Sequence, residues 1–187
     1  MYRFSTHTRK MTIKLLEGET VTGAVFCTDE DIVIMAASNG LVLPLRVNDI
    51  LQRKNVSQAV IGMKIDDGAE CIGVTRCKDK IAVILNDVKG ELTHSAGVFP
   101  DGDISKTYAR GSKGKMAAKT EGDVRLALLA VASDSDCLYL ASDEGRLLRL
   151  RVENVPEFRR LSAGNKLMKL KAGGRVCCGA FNMTSNL

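Results

Sequence analysis

Apolar residues fall in short runs separated by polar, glycine-marked gaps, and no window holds an apolar stripe at the 3.6-residue spacing of a helix. β-branched residues dominate the runs, as expected of strands on a pleated, partly buried surface. One phrase returns four times: a short apolar strand carrying a lysine, an acidic or lysine-bearing turn ending in glycine, and a second apolar strand. It reads Met11-Thr-Ile-Lys-Leu-Leu-Glu-Gly18 then Thr20 to Phe26, and Ile61-Gly-Met-Lys-Ile-Asp-Asp-Gly68 then Glu70 to Val74. It recurs as Met116-Ala-Ala-Lys-Thr-Glu-Gly122 then Val124 to Val131, and as Leu167-Met-Lys-Leu-Lys-Ala-Gly173 then Arg175 to Phe181. Lys14, Lys64, Lys119 and Lys169 are spaced by 50, 55 and 50 residues.

A second phrase lies between these returns: a strand, a two-residue turn ending in glycine, and another strand. The turns are Asn39-Gly40, Lys89-Gly90 and Glu144-Gly145, and their spacings of 50 and 55 keep step with the lysines. Glycine there supplies the positive φ that a tight hairpin requires. Four strands in a period of about 50 residues predict an all-β, propeller-like array of blades. We expect a single domain over residues 1–187, with units at roughly 11–60, 61–115 and 116–166 and a partial unit at 167–187. The half repeats Met11 to Phe26 and Leu167 to Phe181 are expected to meet and close the disc, since open strand edges must be paired or covered. Arg146-Leu-Leu-Arg-Leu-Arg alternates basic with apolar residues, which predicts a strand showing cations to solvent while burying leucines.

The chain has 187 residues, 45% hydrophobic and 26% charged, a balance that excludes disorder over the whole length. No apolar run approaches the roughly 18 to 20 residues of a membrane span, and Met1 to Lys14 mixes charge with hydroxyls where a signal peptide needs an apolar stretch. A cytoplasmic protein without membrane contact is expected. Cys27, Cys71, Cys77, Cys137, Cys177 and Cys178 include no Cys-x-x-Cys, and His7 and His94 add no ligand spacing, so no metal or cofactor is expected. These cysteines read as reduced, mostly buried thiols, although adjacent Cys177 and Cys178 must point to opposite faces of a strand. Asp66-Asp67 and Asp134-Ser-Asp136 could pass for acid–base pairs but fall at repeat turns, where aspartate caps and turns the backbone. No nucleophile stands in a motif with either histidine, so the chain shows no catalytic constellation.

The net charge of +5 is uneven. Residues 1–105 carry 12 basic and 14 acidic side chains, net −2, whereas residues 106–175 carry 15 and 8, net +7. Lys106, Arg110, Lys113, Lys115 and Lys119 form one basic cluster; Arg159, Arg160, Lys166, Lys169, Lys171 and Arg175 form another. Such clusters suit a polyanion, or simply make a solvated face.

The repeat, the phrase Val60-Ile-Gly-Met-Lys-Ile-Asp-Asp-Gly-Ala-Glu-Cys-Ile-Gly-Val74 and the hairpin Ser142-Asp-Glu-Gly-Arg-Leu-Leu-Arg-Leu150 resemble the C-terminal domain of the A subunit of bacterial type IIA topoisomerases, gyrase and topoisomerase IV. The resemblance covers nearly the whole chain, about three repeats and a half. It implies a β-pinwheel whose basic rim binds and bends double-stranded DNA without reading sequence. It further implies partners in the other domains of the A subunit, together with a B subunit, in the bacterial cytoplasm at the nucleoid. Gyrase members carry Gln-Arg-Arg-Gly-Gly-Lys-Gly in one blade loop; here Tyr108-Ala-Arg-Gly-Ser-Lys-Gly114 keeps Arg110, Gly111, Lys113 and Gly114 and loses the first two polar positions. The corresponding linkers hold Arg53 and Lys54, and Arg159, Arg160 and Lys166; the last linker resembles topoisomerase IV, to which the reading leans. The expected DNA-binding residues are thus Arg110, Gly111, Lys113, Gly114, Lys115, Arg159, Arg160, Lys166, Arg53 and Lys54. The tyrosine that cleaves DNA lies in another domain of these enzymes, so Tyr2, Tyr108 and Tyr139 are not its counterparts, and this domain alone is not expected to be an enzyme. The alternative is a small propeller-like scaffold that binds protein partners.

Overall fold

A computed structural model describes residues 13–52, 59–77, 80–87, 95–100, 106–118, 120, 124–133, 136–157, 165–171 and 173–182. Eleven strands appear among them: β1 (Ile32–Ala37), β2 (Leu41–Arg46), β3 (Cys71–Arg76), β4 (Lys80–Asp87), β5 (Ser95–Pro100), β6 (Lys115–Met116), β7 (Val124–Ala132), β8 (Cys137–Ser142), β9 (Leu147–Arg151), β10 (Asn165–Lys166) and β11 (Val176–Asn182). They form three antiparallel sheets in the orders β3-β1-β2-β6, β10-β5-β4-β7 and β11-β8-β9.

A sheet is not one sequence period. Each is built on a hairpin, β1-β2, β4-β5 or β8-β9, and the first hairpin strand pairs with a strand of the next repeat, as β1 does with β3. The second hairpin strand of the first two sheets takes a two-residue strand from the end of the next repeat: β6 pairs with β2 through Leu41↔Met116 and Val42↔Lys115, and β10 with β5 through Lys166↔Ser95. Successive repeats are thereby stitched together by backbone hydrogen bonds.

The hairpin turns are three-residue loops rather than the expected two. The N–H of Gly40 donates to the Ala37 carbonyl and that of Gly145 to Ser142, with φ of 84° and 75°. A type I turn followed by a left-handed glycine satisfies the strand twist as well as a two-residue turn does, and needs positive φ only at the glycine. Lys89-Gly90 lies outside the described residues.

The first and third sheets repeat each other 105 residues apart. Thr28 and Asp31 close a turn in which the Asp31 carboxylate accepts from the Thr28 N–H at 2.7 Å; in the third sheet Asp136 accepts from the Ser133 N–H at 2.8 Å. Both hairpins end in a short 3-10 turn, Val47–Asp49 and Val152–Asn154. Val33, Leu43, Leu45 and Met63 pack with Val47, Ile50 and Ile65 on one face of the first sheet. Leu138, Leu148, Leu150, Met168, Val152, Val155 and Leu170 make the equivalent cluster on the third. A further cluster joins the first two sheets: Ile34, Ala36 and Val42 lie under Ala117, Ala118 and Leu126.

Of the expected turn carboxylates, Asp66 sits in a turn closed by Ala69 N–H to its carbonyl, Asp136 is 6% exposed, and Asp134 lies outside the described residues. The thiols correct the sequence reading. Cys27 and Cys177 are exposed, Cys71, Cys77 and Cys137 are half-buried, and all five are unbridged. Cys71, Cys77, Cys137 and Cys177 lie at or beside strand ends and Cys27 lies before β1, where a small side chain is tolerated without being enclosed. The end segments pack on different sheets. Met168 and Leu170 lie under the third sheet, whereas Val25 packs on the first and Thr22 Oγ1 approaches Cys71 Sγ at 3.9 Å. No helix among the described residues is long and apolar enough to cross a membrane.

Candidate nucleic-acid interface

The basic segment 106–115 leads into β6 and crosses the outer edge of the first sheet. Backbone contacts fix its path: Tyr108 N–H donates to the Pro44 carbonyl, Gly111 N–H to Gly62, and Lys64 N–H to Ser112. Gly111 and Gly114 have φ of 81° and 77°, which side chains other than glycine's adopt only under strain. At Gly114 a Cβ would also collide with the carbonyl of Val42, so only glycine lets the chain lie this close over β2.

Two expected phosphate ligands are engaged within the chain. Arg110 Nη1 donates to the Ile61 carbonyl at 2.9 Å. Lys113 Nζ pairs with Asp66 at 2.5 Å, both side chains about half exposed. A pair this exposed contributes about 0.2–1 kcal/mol, little enough for a phosphate to displace. Arg110 uses only one of its five N–H donors in that bond, and its exposed fork keeps the others toward solvent.

Lys115 lies on β6 and exposed Lys166 on β10, the outer edge strands of the first and second sheets. The fold therefore places Arg110, Gly111, Lys113, Gly114 and Lys115 in one loop and Lys166 at the equivalent edge of the next sheet. Arg53, Lys54, Arg159, Arg160 and Lys119 lie outside the described residues.

Sequence reasoning passed over Arg146, Arg149 and Arg151 as site residues, although the alternation of their strand was its own signal. β9 turns Leu147, Arg149 and Arg151 outward and half-buries Leu148 and Leu150. Arg149 lies over the Tyr139 ring at 5.7 Å, and its Nη2 is 3.6 Å from Cys137 Sγ. The Cys137 thiol, first by its hydrogen bond and then by its charge, and after it the charge of the Tyr139 hydroxyl, hold the guanidinium pKa above its ordinary value. Among the described residues no group of three or more histidine, cysteine or acidic side chains is arranged to hold a metal ion.

Comparison with known proteins agrees with this architecture. The profile of the DNA gyrase C-terminal domain, β-propeller, matches residues 31–78, 105–133 and 138–176, more than half of the chain. The DNA gyrase A subunit of Ureaplasma parvum serovar 3 is 22% identical over 163 residues, 87% of this chain and 19% of that protein. Its counterpart in Mycolicibacterium smegmatis is 23% identical over 175 residues, 91% of this chain and 20% of the relative. This chain thus spans about a fifth of the length of these relatives. The C-terminal domain of DNA topoisomerase IV superposes with a TM-score of 0.70 at 16% identity, covering 82% of this chain and 47% of that one. The DNA gyrase A C-terminal domain gives 0.68 at 20% identity, covering 86% and 53%. Both branches of the type IIA enzymes are therefore among the matches, and they share the fold. With stitched sheets, repeated hairpins and a profile match over most of its strands, the chain belongs to the DNA gyrase C-terminal domain family.

Proposed function

We propose that this chain binds double-stranded DNA along the outer edges of its sheets and bends it, with no preference for sequence. One observation carries the reading: β6 and β10 are each delivered to the same edge of successive sheets by a linker rich in lysine and arginine. Cations then recur at the same edge of two successive sheets, an arrangement suited to a regular phosphate backbone. Contacts of lysine, arginine and glycine-rich backbone with phosphate fix position without reading bases. Smooth bending of 20 to 30 base pairs costs about 1–6 kcal/mol, which several such contacts offset. The binding set comprises Arg110, Gly111, Lys113, Gly114, Lys115 and Lys166, together with Arg159, Arg160, Arg53 and Lys54. Residues 1–187 act as one such DNA-shaping unit. Strand cleavage belongs to other domains of a topoisomerase A subunit working with its B subunit, and no group here takes part in it.

The test is binding to a duplex of about 40 base pairs as a function of salt. Engagement of about six phosphates gives a log–log slope near −5. Arg110→Ala/Lys113→Ala should lower the slope by one to two units, and changing the DNA sequence should leave it alone. Absence of binding at low salt would overturn the proposal and favour the protein-binding scaffold.

A further inference from the structure

Three turns of the repeat are closed by the same backbone bond yet differ in charge at one position. Glu19 N–H donates to the Leu16 carbonyl, Ala69 N–H to that of Asp66 and Gly174 N–H to that of Lys171, at 3.0–3.1 Å. Each turn holds a glycine, Gly18, Gly68 or Gly173, at positive φ. An aliphatic, an acidic and a basic side chain all serve the position, so the turn itself needs no carboxylate there. Nor does the Asp66 carboxylate cap the backbone as those of Asp31 and Asp136 do, which accept from the N–H of Thr28 and of Ser133. Among the described residues its partner is Lys113 Nζ. This is also the turn that the basic loop crosses, with Gly111 N–H on the Gly62 carbonyl and Lys64 N–H on the Ser112 carbonyl. At the equivalent turn of the third sheet Lys171 reverses the sign and adds to the positive field.

Building on the DNA-binding reading above, we infer that Asp66 is an internal rival of the DNA phosphate for Lys113, a brake that lowers the affinity of the 106–115 loop for the duplex. A carboxylate offers the lysine ammonium the same kind of anionic oxygen that a phosphate does, and a single point charge neutralises one of them at a time. Binding therefore breaks the pair with Asp66 before Lys113 can face the duplex. It also leaves the freed carboxylate close to a backbone of its own sign, which opposes binding further. Both side chains are about half exposed, so the pair yields to DNA rather than locking the loop. Exposed pairs of this kind shift an equilibrium by about 1.4- to 5-fold, which sets the strength of the brake.

The test is the affinity of the full chain for a labelled duplex of about 40 base pairs at low salt, read by fluorescence anisotropy. The parent is compared with Asp66→Asn, Asp67→Asn, Lys113→Ala and the double change Asp66→Asn/Lys113→Ala, and circular dichroism checks that each keeps its strands. Asp67 is exposed, adjacent in sequence and pairs with no cation among the described residues, so its substitution measures the loss of an acidic charge alone. Asp66→Asn should tighten binding by about two- to fivefold, and Asp67→Asn by clearly less. With Lys113→Ala already in place, the gain from Asp66→Asn should fall to the level that Asp67→Asn gives. An Asp66→Asn variant that binds as the parent does, or more weakly, overturns the inference. So does a gain no larger than that of Asp67→Asn, or one that persists in full without Lys113. In each of these cases the parent still binds DNA and the function proposed above stands, whereas a parent that fails to bind overturns both.

Discussion

The first and third sheets are built on matching hairpins 105 residues apart, yet β1 buries residues on both faces and β8 on one. In β1 Val33, Ile34, Ala36 and Ala37 are all buried, whereas β8 alternates half-buried and buried positions from Cys137 to Ser142. The sequences differ accordingly: β1 is a continuous apolar run, and β8 holds Cys137 and Tyr139 at half-buried positions. At the residue equivalent to buried Pro44 the third sheet has Arg149, lying over Tyr139. Leu147, the equivalent of fully buried Val42, is 72% exposed.

The comparison is broken most sharply by placing a charge at equivalent positions. Val42→Asp sets a carboxylate between two sheets and should cost about 4 kcal/mol or more, whereas Leu147→Asp should stay within about 0.5 kcal/mol for the monomer. Equilibrium denaturation of both variants checks this; equal losses would show that the third sheet is covered in solution.

Glycine gives a smaller effect. Gly114→Ala must adopt positive φ and also meet the Val42 carbonyl, so it should cost about 2 kcal/mol or more. Gly111→Ala, strained but in open space, should cost about 1–2 kcal/mol. Denaturation midpoints of the pair separate strain from close packing.

The smallest effect lies in the matching turns. The Thr28 backbone N–H first, then the Thr28 hydroxyl and Arg76, at 3.6 Å, hold the Asp31 carboxyl below its ordinary value of 3.8. A lowered folded pKa means that the ionised group stabilises the native state. That contribution is present above about pH 4 and is lost as pH falls through the folded pKa. Asp31→Asn should therefore flatten part of the acid limb of the stability profile, and NMR titration should find the Asp31 midpoint below 3.8. The third sheet has Phe181 where the first has Arg76, so Asp136 lacks that partner and Asp136→Asn tests the turn alone.

Local features were legible in the sequence because they answer to local causes. The period located every hairpin, the glycines at 40 and 145 located two turns, and alternation at 146–151 announced the arginines of β9. The candidate loop at 108–114 was found by its residue types, but its wiring was not. Arg110 reaching Ile61 and Lys113 reaching Asp66 depend on a second segment brought alongside by pairing that no local pattern encodes.

The sequence by itself determined that this chain is an array of β units with its positive charge in the later repeats, because side-chain periodicity and glycine placement act within a few residues. Only the tertiary structure decided that β6 joins β2 and β10 joins β5, and that Gly114 must be glycine. Strand edges offer the same backbone donors and acceptors whatever their side chains, so the choice of partner falls to packing between distant segments.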